Sequence, residues 1–246
     1  MSLLTHAANE GMEIQVAAAK VSKYAVRESG DTLEMIERPG GGLSFVLADG
    51  QGHGRGAKEV SNLVAKKAVT LLADGVRDGA VARATHDFLY AYQQGKVSAT
   101  LNIVSVDLRT RTLVLSTNSH CPVIVLEPTG TRLLTEPAPP IGIYPGTKPS
   151  ISELPLVAGS GVIVFTDGIL EAGERYGQPL DVPATVAGLL AGESLSAQTL
   201  ADGLLAAAVA ADRGRPQDDM SVLVVAVVPG QEENRVRRLA VTFPVE

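Results

Sequence analysis

Two helix-period patterns stand directly one after the other in this chain of 246 residues. Residues 57–77 carry Val60, Leu63, Val64, Ala68, Leu71 and Leu72 at the spacing of one apolar stripe. Residues 79–94 repeat the pattern with Val81, Phe88, Leu89 and Tyr92 on the inner side, and Gly95 stops it. Strand patterns flank this pair on both sides and do not alternate with helices one for one. A sheet of parallel strands needs a crossover, usually a helix, between consecutive strands, so that architecture is disfavoured. The class that remains is α+β with antiparallel pairing.

The strand patterns themselves agree. Residues 12–24 and 32–37 alternate apolar and polar positions, and PGGG at 39–42 is a turn into LSFVLAD, which makes a hairpin whose second strand ends at Asp49. After the helices, SATLNIVSVDL, TLVLSTNS and CPVIVLEP form a meander broken by RTR and PTG. The stretch EPAPPIGIYPG is a Pro/Gly loop, followed by strands in SISELPL and GVIVFTDG. Residues 182–211 predict one or two Ala/Leu-rich helices, and the β-branched run in DDMSVLVVAVV predicts a central strand buried on both faces. Residues 1–230 read as one domain and 231–246 as an extension that adds an edge strand.

Composition narrows the partners. An apolar fraction of 45% with a net charge of −6 fits a folded chain and argues against nucleic acid held through a general excess of positive charge. One cysteine, Cys121, can make neither an internal disulfide nor a multi-cysteine zinc site, and it reads as a small core residue. No apolar run reaches the length of a membrane span and the N-terminus lacks a signal-peptide pattern, so a cytoplasmic protein without membrane contact is expected.

Four carboxylates share a context. Asp31 follows a strand in ESGD, Asp49 and Asp167 each end one before a glycine, and Asp218 begins one in DDMS. If those strands are neighbours, the carboxylates converge at one end of the sheets. Few carboxylates without a histidine cluster suit a hard divalent cation such as Mg²⁺ or Mn²⁺, and Gly50 would let a backbone carbonyl approach it. Singly, each feature has a plain alternative: Asp-Gly is a common turn, Asp31 could close one, Asp218 could cap a strand, and Gly52, Gly54 and Gly56 could be a flexible helix entry.

Taken in order, SGD, LADGQGHG before a long helix, SATLNIVSVDL, NSHCPVIVL, PPIGI, VIVFTDGILEA and DDMSVLVV resemble the SpoIIE/RsbU/RsbX branch of the bacterial metal-dependent protein phosphatases (PPM, or protein phosphatase 2C-like), over residues 27–228. The resemblance implies an α-β-β-α sandwich of two antiparallel sheets flanked by helix pairs, with two Mn²⁺ or Mg²⁺ ions at one end. It implies that Asp49 bridges the ions and Gly50 gives its carbonyl, that Asp167 and Asp218 hold one ion, and that Asp31 helps hold the other or its waters. Asp218 is preferred to Asp219 as the first of the two residues before the strand. The implied chemistry is attack of a metal-bridging hydroxide on phosphoserine or phosphothreonine, with no cysteine nucleophile.

The sequence departs from the broader family where Gln51 replaces a histidine after Asp-Gly. His53, two residues on, is either a proton donor or a structural group, and Arg27 is either a phosphate ligand or a surface charge. Glu171 either orients the metal shell or starts a helix, Asn118 reads as a turn residue bonded to backbone, and His6, His86 and His120 read as ordinary surface or loop residues. The layout resembles the stand-alone RsbX type, because the chain begins almost at its first strand. That implies a phosphorylated STAS-domain partner, either a stressosome component or an anti-anti-sigma factor. A catalytically silent phosphoprotein adaptor of the same fold is the alternative.

Overall fold

The computed structural model describes residues 11–191, 195–230 and 236–244. Ten strands are found there: β1 Met12–Val21, β2 Asp31–Glu37, β3 Gly42–Gly50, β4 Ala99–Asp107, β5 Thr112–Asn118, β6 Val123–Glu127, β7 Gly130–Leu134, β8 Ser150–Pro155, β9 Gly161–Phe165 and β10 Met220–Pro229. The helices are α1 Gly54–Ala73, α2 Asp78–Gln93, α3 Asp167–Leu170, α4 Val182–Leu190 and α5 Ala197–Ala211, with a 3₁₀ turn at Glu174–Tyr176. One sheet runs β1-β10-β9-β6-β7 and the other β2-β3-β4-β5-β8, and every strand pairing is antiparallel.

Strand alternation divides the apolar side chains into three layers. In β3, Phe45 and Leu47 enter the layer between the sheets, whereas Val46 and Ala48 face α1 and α2. In β10, Leu223, Val225 and Val227 point to the inter-sheet layer, and Val222, Val224 and Ala226 pack under α4 and α5. Both strands are therefore covered on both faces, as the continuous apolar run of β10 predicts. A fully buried Leu or Val is worth about 1.5–3 kcal/mol each, so these layers carry most of the favourable free energy of folding. The result is the four-layer α-β-β-α sandwich.

Several local expectations are corrected. Asp31 opens β2 instead of following a strand, because the 22–30 connection has no strand character. The segment GTRLL forms β7, a short edge strand with four of its five residues exposed and hence no apolar alternation to reveal it. The inner face of α2 is Val81, Ala82, Thr85, His86 and Leu89; Tyr92 is 65% exposed and stacks on Phe88. Residues 236–244 of the expected edge strand are exposed and carry no strand, and 231–235 and 245–246 lie outside the described residues. His6 also lies outside them. No helix among the described residues is long and apolar enough to cross a membrane.

Candidate metal centre

Register brings the predicted carboxylates to one end of the sandwich. In one sheet Asp31 is the pairing partner of Asp49, and Asp49 and Gly50 face Thr100 and Ala99 of β4. In the other, β10 begins where β9 ends: Phe165 pairs with Val222, and the Thr166 N–H donates to the Ser221 carbonyl at 3.0 Å. Asp167 and Asp218 thus flank the same strand ends. The two sheets are tied there by the Thr166 hydroxyl, which donates to Asp31 Oδ2 at 3.0 Å.

Asp49, Gly50, Asp167 and Asp218 line a single cleft of about 290 Å³, joined by His53 and His120. Asp31 is fully buried beside Asp49, and its Oδ1 has no hydrogen-bond partner among the described residues. Burial, and then the carboxylates of Asp31, Asp167 and Asp218, push Asp49 up to about 9. Burial foremost, with Asp219 adding, raises Asp31 to about 7, and burial with Asp218 raises Asp167. Crowded carboxylates with raised pKa values and an unpartnered buried oxygen are the donor set a hard cation would satisfy. Gly50 fits as well: a Cβ there would collide with the Ala57 carbonyl at the start of α1, so no larger residue brings this backbone so close to the helix. The residues present fit a divalent metal site.

Cations and amides brace this end. Lys58 of α1 donates to the Asp31 carbonyl at 2.6 Å and to the Thr32 hydroxyl at 2.9 Å, and Lys20 of β1 donates to the same carbonyl at 3.2 Å. Asp219 is 3% exposed, and both its oxygens are engaged by the amides of Lys23 and Gly30, at 2.9 and 2.8 Å. It pins the 22–30 connection and, like the half-buried Asp218, lines the cleft.

The remaining candidates separate. His53 is exposed at the N-cap of α1, on the rim of the cleft. Gln51 is committed to the loop: its Oε1 accepts the Ser98 N–H at 3.0 Å and its own N–H donates to the Ser98 carbonyl at 3.0 Å. Arg27 is exposed on the 22–30 connection and is not among the residues lining the cleft. Cys121 is buried and its thiol is pushed up to about 12 by burial, which agrees with a core residue and not a nucleophile. Asn118 does bond to backbone, but its amide reaches across to the Pro139 and Lys148 carbonyls, at 3.0 and 3.1 Å.

His120, expected as an ordinary loop residue, stands beside Glu171 at this end. Ligand atoms of His120, Asp167 and Glu171 lie within 4.8 Å of one another. Glu171 directly follows α3 instead of starting a helix, since the turn after β9 is only four residues long. A histidine after β5 meets a glutamate after β9 only through the sheet topology, and the TDG motif with its Glu was the one local signal available.

The comparisons with known proteins agree with the fold. The chain is 23% identical over 215 residues to Stage II sporulation protein E of Bacillus subtilis (strain 168), covering 87% of this chain and 26% of that protein's length. The solved PP2C phosphatase domain of SpoIIE from Bacillus subtilis, with a fragment of its regulatory domain, superposes with a TM-score of 0.77 at 23% identity, covering 89% of this chain and 65% of that one. The RsbU and RsbW domains of Rv1364c from Mycobacterium tuberculosis match with a TM-score of 0.70 at 21% identity, over 88% of this chain and 60% of theirs. RsbX in complex with magnesium matches at 0.67 and 16%, over 87% and 95%. The family model for Stage II sporulation protein E (SpoIIE) matches residues 39–228, and the chain belongs to that family.

Proposed function

We propose that this chain is a metal-dependent serine/threonine phosphoprotein phosphatase acting in the cytoplasm on a phosphorylated STAS-domain regulator. The observation that carries the activity is the gathering of Asp49, Asp167 and Asp218 around one cleft with the buried Asp31 beside Asp49. Family membership and the PP2C-type fold support it, and the structures matched include RsbX and a stressosome protein, which supports a regulatory protein partner.

Asp49, Asp167, Asp218, the Gly50 carbonyl and Asp31 would hold divalent cations, two in this reading, with Mn²⁺ or Mg²⁺ the class the oxygen donors select. When bound, the cations supply a water of lowered pKa and offset charge on the phosphoryl oxygens. The chain's own residues do the rest. Asp219 and Thr166 hold the strand ends in register, Lys58 ties α1 to Asp31, and Gln51 fixes the loop after Gly50. His53 and His120, which line the cleft, are the candidates in this reading for protonating the leaving group.

The test is Mn²⁺-dependent release of phosphate from a phosphoserine peptide and from phosphorylated STAS-domain proteins of both kinds, a stressosome component and an anti-anti-sigma factor. Turnover of one STAS substrate, lost on Asp49→Asn, is expected. Tight binding of the phosphoprotein without turnover at any metal concentration would replace the enzyme with an adaptor, and turnover of the peptide but neither STAS protein would reject the partner.

A further inference from the structure

His86 is 1% exposed on the inner face of α2, and its Nδ1 accepts the Gly142 N–H at 3.0 Å. An acceptor at Nδ1 places the ring proton on Nε2, where the Asp87 carboxylate lies 3.9 Å away. Burial lowers the pKa of His86, in keeping with a neutral ring. Gly142 has φ of +97°, and a Cβ there would strike the Val97 carbonyl and the Leu89 side chain. The loop therefore passes directly under the helix, and its buried N–H depends on His86 for an acceptor.

From Gly142 a continuous set of backbone bonds reaches the cleft. Ile141 and Ala99 exchange two hydrogen bonds, at 3.1 and 2.9 Å, and on its other side Ala99 pairs with Gly50. Ser98, the next residue, holds Gln51 through both backbone and side chain. Pro140, one residue before Ile141, lines the cleft itself. The segment of β4 that backs Gly50 is thus held between β3 and a loop, and the loop is tied to α2 by the His86 imidazole and to β5 by the Asn118 amide.

We propose that His86 is a positioning residue for the metal centre, acting through Gly142, Ile141 and Ala99 to set the segment that carries the Gly50 carbonyl. The inference rests on the metal-centre reading of the cleft. It is tested by calorimetric Mn²⁺ affinity, with kcat and KM on p-nitrophenyl phosphate, for the wild type, His86→Leu and His86→Asn. The Asn Oδ1 occupies the place of Nδ1, so it keeps the acceptor while reducing ring volume.

His86→Leu is expected to weaken Mn²⁺ binding about 10-fold, the lower end of the loss seen when a group supporting metal ligands is removed, and to lower kcat with KM little changed. His86→Asn should restore most of both. Wild-type affinity in His86→Leu, or equal losses in Leu and Asn, would overturn the proposal, the second outcome showing that only ring volume matters. Should His86→Leu fail to fold, His86→Gln takes its place, because its acceptor sits at the Nε2 position and should not rescue. The ¹⁵N shifts of the wild-type ring give an independent check: an Nε2–H tautomer is required, and an Nδ1–H tautomer would overturn the proposal. Absence of Mn²⁺ binding and hydrolysis in the wild type would instead count against the metal-centre reading, and the tautomer distinguishes the two failures.

Discussion

The two helix pairs cover their sheets by different means. Under α4 and α5 the packed face is apolar, built from Val186, Leu200, Ala201, Leu204 and Ala208, and the polar ties described there sit at helix ends, with Asp181 and Ser196 as N-caps and Asp212 beyond the last turn. Under α1 and α2, polar side chains lie within the packed face at Ser61 and His86, in addition to a helix-end tie at Asp78, the first residue of α2. Ser61 meets Thr32 at 2.7 Å, His86 holds Gly142, and Asp78 binds both Arg38, at 2.8 Å, and Ser105. Apolar contact is non-directional and tolerates small slides, whereas a buried hydrogen bond fixes position to tenths of an ångström. The helix pair beside Asp31, Asp49 and Gly50 is bolted in register, and the other pair contributes mainly buried area.

Substitutions that separate position from area sharpen this contrast. Asp49→Asn should cut Mn²⁺-dependent turnover on the order of 10³-fold while leaving metal-free stability unchanged or higher, since it removes one of several crowded carboxylates; kinetics and thermal unfolding measure the two effects. Asp78→Ala strands Arg38, whose side chain is 14% exposed, and should cost about 3–5 kcal/mol in urea unfolding. It should also weaken Mn²⁺ binding at temperatures where the variant remains folded. Leu204→Ala, in a fully buried position on the other face, should cost about 2–5 kcal/mol and leave Mn²⁺ affinity unchanged. Equal effects of the last two on metal affinity would erase the distinction between the faces.

The smallest expected effect is one of pH. Asp31 and Asp49, raised to about 7 and about 9, retain protons in the folded metal-free state that the unfolded chain has released. Their contribution to stability is complete below the ordinary carboxylate pKa of 3.8 and is lost as pH rises through about 7 and then about 9. The metal-free melting temperature should therefore fall by a few degrees across that range, and saturating Mn²⁺ should reverse the trend. A melting temperature that rises over the same range without metal would contradict the crowding of the carboxylates.

What could be read from the sequence was local. The positions of Asp49 and Asp167 follow from apolar strand runs that stop at an acidic residue and that of Asp218 from a run that starts just after it, and β10 announces itself by β-branched content. The order of hairpin, helix pair and meander was enough for the α+β class. What escaped depended on partners distant in sequence. The stripe of α2 was placed out of phase, with Phe88 and Tyr92 turned inward and His86 outward, because the 3.6-residue period fixes spacing but the sheet decides which residues face it. β7 is an exposed edge without alternation, and the meeting of His120 with Asp167 and Glu171 exists only once β5 and β9 are folded into their sheets.

The central claim, that the strand-end carboxylates form one divalent metal centre, is tested most directly by anomalous scattering from crystals soaked in Mn²⁺. The expected result is density within the cleft bounded by Asp49, Asp167, Asp218 and the Gly50 carbonyl, absent in crystals of Asp49→Asn. Manganese bound only elsewhere, or an empty cleft in the wild type at saturating Mn²⁺, would contradict it.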